Sequence, residues 1–229
     1  IAAFSIIGGC AWFKTKQETR TADEMWTDAE RAFSKQNFEK AAEEYQKLKE
    51  YHPYSPLAVS AELKLADSHF LNKKYQLAYT HYSQFRDLHP THEKIPYVIY
   101  QMGMCHFKQM LSRDRDQDST RAALKEFIVL VRMHPQSEYV SSARDKMEKC
   151  WKRLAEHEYY IGRFYFNKKY YHAALRRFER IRKLYSGLGL DWNVDRYIDL
   201  CNDAIEKQEK MNEKSAGSPE AKSRINKEK

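Results

Sequence analysis

Residues 38–53 read FEKAAEEYQKLKEYHP. Phe38 is followed by Ala41, Tyr45 and Leu48, and the run ends at Pro53. Spacings of three and four place these side chains on one face of a helix. Proline ends it, because its ring cannot continue the ladder and biases the residue before it away from the α region. The figure returns as Tyr75, Ala78, Tyr82, Phe85 and Pro90. It returns again as Ala123, Phe127, Leu130 and Pro135, and once more as Tyr171, Ala174, Phe178 and Ile181. Small residues suit the points where two helices cross closely, and large ones fill the holes beside them.

Ala41 to Ala78 is 37 residues, and so is Pro53 to Pro90. A small residue, an aromatic four places on and a late proline mark the second half of a tetratricopeptide unit of about 34 residues, here slightly extended. The expectation is an all-α fold: a tetratricopeptide-repeat superhelix of about five helix–turn–helix units. The domain spans 21–212, with repeats near 22–55, 59–92, 96–137, 139–186 and 190–212. Composition agrees. The 229 residues include 7 Gly and 6 Pro, too few for many tight turns, and aromatics make up 14%. No alternating run long enough for a sheet occurs.

Within the array, Thr21 and Glu24 have the spacing of a capping box for a first helix. Gly103 to Ala123 is 20 residues, where Ala66 to Ala78 is 12. Eight residues are therefore inserted within Leu111–Thr120, LSRDRDQDST, and are expected to project from one rim of the array. Loops of this kind carry function more often than the helices beneath them. Residues 139–169 contain one glycine and no proline, which predicts one long helix. Asp191 is placed to cap a last helix running to about Met211.

The ends differ from the middle. IAAFSIIGG precedes Cys10 and reads as the end of a secretory signal, 1–9. Ile7-Gly8-Gly9-Cys10 resembles a bacterial lipobox, with small residues before the scissile bond and a thiol to take up diacylglycerol. Residues 10–20 then form a lipidated flexible tether. At about 0.8 kcal/mol per buried CH₂, two or three acyl chains hold a protein to a bilayer. Residues 213–229 are nearly devoid of apolar side chains and are expected to be a disordered charged tail. Cys105, Cys150 and Cys201 sit in helical patterns and fill core space, with a bridge between them left open.

From repeat three onward a resemblance emerges. Pro90-Thr91-His92, Ile95, Tyr97-Val98, Tyr100 and Gly103 together closely resemble the BamD family, the tetratricopeptide lipoproteins of the bacterial outer-membrane β-barrel assembly machine. Asp114-Arg115-Asp116, Ala122-Ala123, Leu130-Val131-Arg132, Pro135, Ser137, Tyr139, Leu154-Ala155 and Glu158-Tyr159 are similar to the same family. The similarity runs from Cys10 to about residue 185. It implies a non-enzymatic scaffold, lipid-anchored at the periplasmic face of the outer membrane. It also implies two partners, the POTRA domains of BamA and nascent outer-membrane β-barrel proteins, with other lipoproteins of the machine as further candidates. By resemblance, the carboxyl-terminal repeats contact BamA and the amino-terminal repeats receive substrate.

The residues suggest where. First helices of such an array line a groove, here Trp26, Phe33, Leu63, Phe70, Tyr97, Tyr100 and Phe107. A mostly aromatic groove suits an extended peptide with aromatic side chains, since flat rings bury much area at low entropic cost. The alternative is that these rings pack between helices. Residues 151–190 carry ten Lys/Arg and three acids, so most of the formal charge of +8 lies there. Arg176 and Arg180 stand at i, i+4 with Arg177 beside them. With the family topology, this cluster is expected to meet an acidic POTRA surface.

No Gly-rich phosphate loop, HExxH or GxSxG occurs, so neither an enzyme nor a cofactor is expected. His89, His92 and Glu93 come nearest to a metal cluster, but His52, His89 and His134 each precede a repeat-ending proline and mark a repeat position. No metal and no nucleic acid is expected. The alternative is another periplasmic tetratricopeptide interaction protein, such as an envelope or division coordinator.

Overall fold

The computed structural model describes residues 20–216. Cys10, the signal and most of the tether lie outside the described residues, as does the tail from 217. The regular structure of the described residues is helical, in nine helices: α1 (Ala22–Ser34), α2 (Phe38–Tyr51), α3 (Leu57–Leu71), α4 (Tyr75–Leu88), α5 (Ile95–Phe107), α6 (Asp118–Met133), α7 (Tyr139–Asn167), α8 (Tyr171–Leu184) and α9 (Asp191–Ala216). This is an all-α fold of the tetratricopeptide type. The chain divides into two compact units, one ending at Lys108 and one beginning at Gln109. The first contains α1–α5 and the second α6–α9. Within each unit every helix packs on the next in sequence.

The recurring figure is the core. Ala41, Tyr45 and Leu48, Ala78, Tyr82 and Phe85, Ala123, Phe127 and Leu130, and Ala174, Phe178 and Ile181 are all 2% exposed or less. The repeat also governs polar contacts. The Tyr45 hydroxyl donates to Glu30 at 2.5 Å, and the Tyr82 hydroxyl donates to Asp67 at 2.5 Å. Both members of the second pair sit 37 residues after those of the first. Phenylalanine takes the tyrosine's place at 127 and 178, and there no buried hydroxyl needs a partner.

The hairpin turns share one device. Gln36, Lys73 and Lys169 have φ of 59°, 61° and 63°, in the left-handed region. The next residue's N–H returns to the helix: Asn37 to the Ala32 carbonyl, Lys74 to His69 and Tyr170 to Tyr165, each at 2.9 Å. A second bond from each left-handed residue, Gln36 to Phe33, Lys73 to Phe70 and Lys169 to Phe166, completes a Schellman motif. Ring pairs close the same corners: Phe33 on Phe38, Phe70 on Tyr75 and Phe166 on Tyr171, each 5.4 Å between centroids.

The capping box forms as the spacing predicts, with the Glu24 N–H donating to the Thr21 hydroxyl and the Thr21 N–H to the Glu24 carboxylate. The long helix α7 is 29 residues. It lies against α8 at Gly162, where a Cβ would stand 2.9 Å from the Phe178 ring. Asp191 opens α9, but its carboxylate reaches back to accept the Gly187 N–H at 3.0 Å.

The inserted loop does not project freely. Gln117 is 1% exposed. Its amide donates to the Ser112 and Arg115 carbonyls at 2.8 and 2.9 Å, and its oxygen accepts from Thr120 at 2.8 Å. Two side chains of α7 hold the first part of the loop. Arg153 donates to the Leu111 carbonyl, and His157 Nδ1 lies 2.6 Å from the Arg113 carbonyl. One buried amide and two anchors on a neighbouring helix turn a charged insertion into an ordered one.

Candidate functional site

The seven aromatic-groove positions all belong to the first unit, and all are half-buried. The 37-residue period relates them: Trp26, Leu63 and Tyr100 are equivalent, as are Phe33, Phe70 and Phe107. Trp26 meets Tyr45 edge to face at 5.5 Å. Phe33 and Phe70 carry the corner contacts described above, and the Lys64 ammonium lies 4.6 Å from the Phe33 centroid. Tyr97 donates to Asp67 at 2.8 Å and accepts from Gln101 at 2.9 Å. Each of these rings thus has a packing partner as well as an open edge.

Between the aromatic stripes sit carboxylates that the aromatic pattern did not reveal. Glu30 lies between Trp26 and Phe33, and Asp67 between Leu63 and Phe70. Burial pushes the Asp67 carboxyl up, against the opposing pull of two tyrosine hydroxyls and Lys64. Burial raises the Tyr45, Tyr82 and Tyr97 phenols as well. The signal was present at the i, i+4 spacing, but it becomes legible only when Tyr45 and Tyr82 arrive from the following helices.

Elsewhere in this unit a cavity of about 440 Å³ is lined by residues of α2, α3 and α4, with Lys74 at its rim. His69 and His81 stack there, 5.1 Å between centroids. Burial pushes His69 down to about 4, with His81 and Lys74 adding repulsion. Burial lowers His81 too. Both rings are neutral at pH 7. Among the described residues no group of three or more His, Cys, Asp or Glu could hold a metal ion. His89 Nε2 contacts Glu62 at 2.8 Å, and His92 Nδ1 accepts from the Lys94 N–H.

The arginine cluster belongs to the second unit. Arg176, Arg177 and Arg180 line one cavity of about 240 Å³ with Tyr165 and Ala173. Spacing alone paired Arg176 with Arg180. In the structure Glu158 of α7 gathers Arg177 and Arg180 instead, at 2.9 and 3.4 Å. Glu158 is 13% exposed, so this carboxylate is largely withdrawn from solvent. Arg176 is exposed. One acid paired with two of the three guanidiniums leaves the cavity positive, and an added carboxylate would find bidentate donors there. Cys105, Cys150 and Cys201 are buried thiols. Burial pushes the Cys105 and Cys150 thiols up to about 12 and Cys201 to about 11, so all three stay protonated and unreactive at pH 7.

The model of the family described as "YfiO: Outer membrane lipoprotein" matches residues 18–191. The outer membrane protein assembly factor BamD of Vibrio cholerae serotype O1 is 25% identical over 227 residues, covering 92% of this chain and 94% of that protein. BamD of Caulobacter vibrioides is 27% identical over 179 residues, covering 76% of this chain and 59% of that protein. Among solved structures, a tetratricopeptide repeat protein from Parabacteroides merdae matches 82% of this chain and 75% of that one, with 14% identity and a TM-score of 0.42.

Proposed function

Because the chain belongs to the YfiO family of outer membrane lipoproteins and is similar to BamD assembly factors, we propose that it is a non-enzymatic scaffold of outer-membrane protein assembly. It is held by acyl chains on Cys10 at the periplasmic face of the bacterial outer membrane. Its partners are the POTRA domains of BamA and nascent β-barrel proteins. The observation that carries this reading is the family match over 18–191, which contains every groove aromatic and all three arginines.

The half-buried rings of the first unit support a site for an extended peptide. Trp26, Phe33, Phe70 and Tyr97 are each fixed by a neighbour yet remain half-buried, so little entropy remains to be lost on binding. The positive cavity of the second unit supports an acidic POTRA contact. Arg177 and Arg180 are already oriented by Glu158, and Arg176 stands exposed beside them.

Co-purification of BamA tests the second surface. Arg176→Glu and Arg177→Glu should each reduce recovered BamA, by about tenfold or more if the pairs couple as close interfacial charges do. Reversal at Arg177 also strands a half-buried Glu158, so the double variant Glu158→Gln with Arg177→Glu separates folding from contact. Undiminished BamA in all three would sink the arginine assignment. Photoreactive residues at Trp26 and Arg177 should crosslink to nascent barrel proteins and to BamA, respectively; the reverse pattern overturns the assignment of the two ends. Cys10→Ser should move the protein from the membrane fraction to the soluble fraction, and continued membrane retention would refute the anchor.

A further inference from the structure

The ordered insertion and the second half of α7 build a surface that neither site above uses. Past the anchors Arg153 and His157, α7 presents Tyr160, Arg163, Phe164 and Asn167. Spacings of three and four put these on one face. Tyr160 is 45% exposed and Phe164 is 52% exposed, large fractions for rings on a helix that packs on both its neighbours in sequence. The opposite face of α7 is occupied: Gly162 meets the Phe178 ring and Glu158 holds Arg177, while Tyr159, between the two faces, packs edge to face on the same Phe178 ring.

The loop completes the surface. By fixing the Leu111 and Arg113 carbonyls, Arg153 and His157 bring the Arg113 side chain to α7. Arg113 then lines a cavity of about 320 Å³ with Tyr159, Tyr160, Arg163, Phe164 and Asn167. Among the described residues neither Arg113 nor Arg163 makes an ion pair, whereas Arg153, Arg177 and Arg180 all do. An aromatic floor beside two guanidiniums, neither held in an ion pair although Arg113 lies in the field of its neighbour Asp114, is chemically specific. Rings accept an apolar or aromatic side chain, and guanidiniums accept carboxylates bidentately. Exposed Tyr and Arg are also the side chains that dominate binding where they cluster. A cavity of this size lies at the lower end for ligand pockets, and fits a few residues of chain better than a folded surface.

We infer that this surface, made by the Leu111–Thr120 insertion and the 160–167 face of α7, docks an extended acidic segment of a partner protein through an aromatic side chain flanked by carboxylates. The insertion's role is then to supply Arg113. The inference does not depend on the BamA contact, because Arg176, Arg177 and Arg180 line a different cavity.

Fluorescence anisotropy with the full chain tests it. The probe is a short labelled glycine–serine peptide carrying one phenylalanine between two aspartates. Replacing the aspartates by asparagine, or the phenylalanine by alanine, should weaken binding by about tenfold or more. Arg113→Ala, Arg163→Gln and Phe164→Ala should each weaken it severalfold with thermal unfolding unchanged, since all three side chains are exposed. Arg176→Ala should leave binding unchanged. Equal binding of the three peptides overturns the inference. So does indifference to the Arg113, Arg163 and Phe164 changes, equal sensitivity to Arg176→Ala, or displacement of the peptide by a mixed-sequence single-stranded oligonucleotide at lower concentration.

Discussion

His69 shows how a residue unremarkable in sequence acquires a distinctive environment. Its ring lies against His81, and burial holds it neutral down to about pH 4. An unfolded chain restores the ordinary value of 6.5. The unfolded state therefore binds the proton more tightly, and stability falls as pH drops from about 6.5 toward 4. The loss from this ring is on the order of 2 kcal/mol once solvent access to a half-buried group is allowed for. Urea unfolding across that window should show a shallower decline in His69→Gln than in the unchanged protein. Identical slopes would falsify the assignment. Asp67 works in the opposite sense: its raised carboxyl makes the folded state the better proton binder, so its contribution favours folding at the acid end. Asp67→Asn should remove that contribution, and the comparison separates the two groups.

At the level of the helical hairpin, the turns at Gln36, Lys73 and Lys169 demand a left-handed residue and receive side chains that resist it. An L-residue with a Cβ pays on the order of 1–2 kcal/mol there, part of which glycine would give back in unfolded-state entropy. Lys73→Gly should therefore raise stability by about 0.5–1 kcal/mol, read as a higher urea midpoint at unchanged slope. The opposite holds at Gly162. Gly162→Ala places a methyl 2.9 Å from the Phe178 ring and should cost about 1–3 kcal/mol, because the ring sits in a filled core and α7 cannot withdraw locally. An unchanged urea midpoint would refute the close apposition of α7 and α8 at this position. The hairpins were the part of the fold most legible in sequence. Phe38–Tyr51 and the long α7 follow directly from apolar spacing and proline position. The Gln117 anchor was not legible, since a glutamine in a charged loop looks like any solvated residue until its carbonyl partners are assembled around it.

For the molecule as a whole, charge is the property with the longest reach. The formal charge is +8, concentrated in 151–190, and the arginine cavity shares a single nearby carboxylate. Association with an acidic partner should therefore be steered. Its association rate should fall by about tenfold or more on raising salt from low to well above physiological, while dissociation changes little. Stopped-flow mixing of the full chain with purified POTRA domains measures this; a salt-independent rate would remove the electrostatic argument. Among the described residues no helix is long and apolar enough to cross a membrane.

Sequence by itself determined the helices, the 37-residue period and the residues that form the core, because helix faces and their ends are written at spacings of three, four and a closing proline. It also marked the aromatic and arginine positions as exceptional. Tertiary structure alone decided their pairings. Glu30 and Asp67 anchor tyrosines from the next helix, Glu158 rather than i, i+4 geometry unites the arginines, and the Leu111–Thr120 insertion lies down on α7. These contacts join residues distant in the chain, and no local periodicity encodes which carboxylate, carbonyl or ring will be nearest once the helices pack.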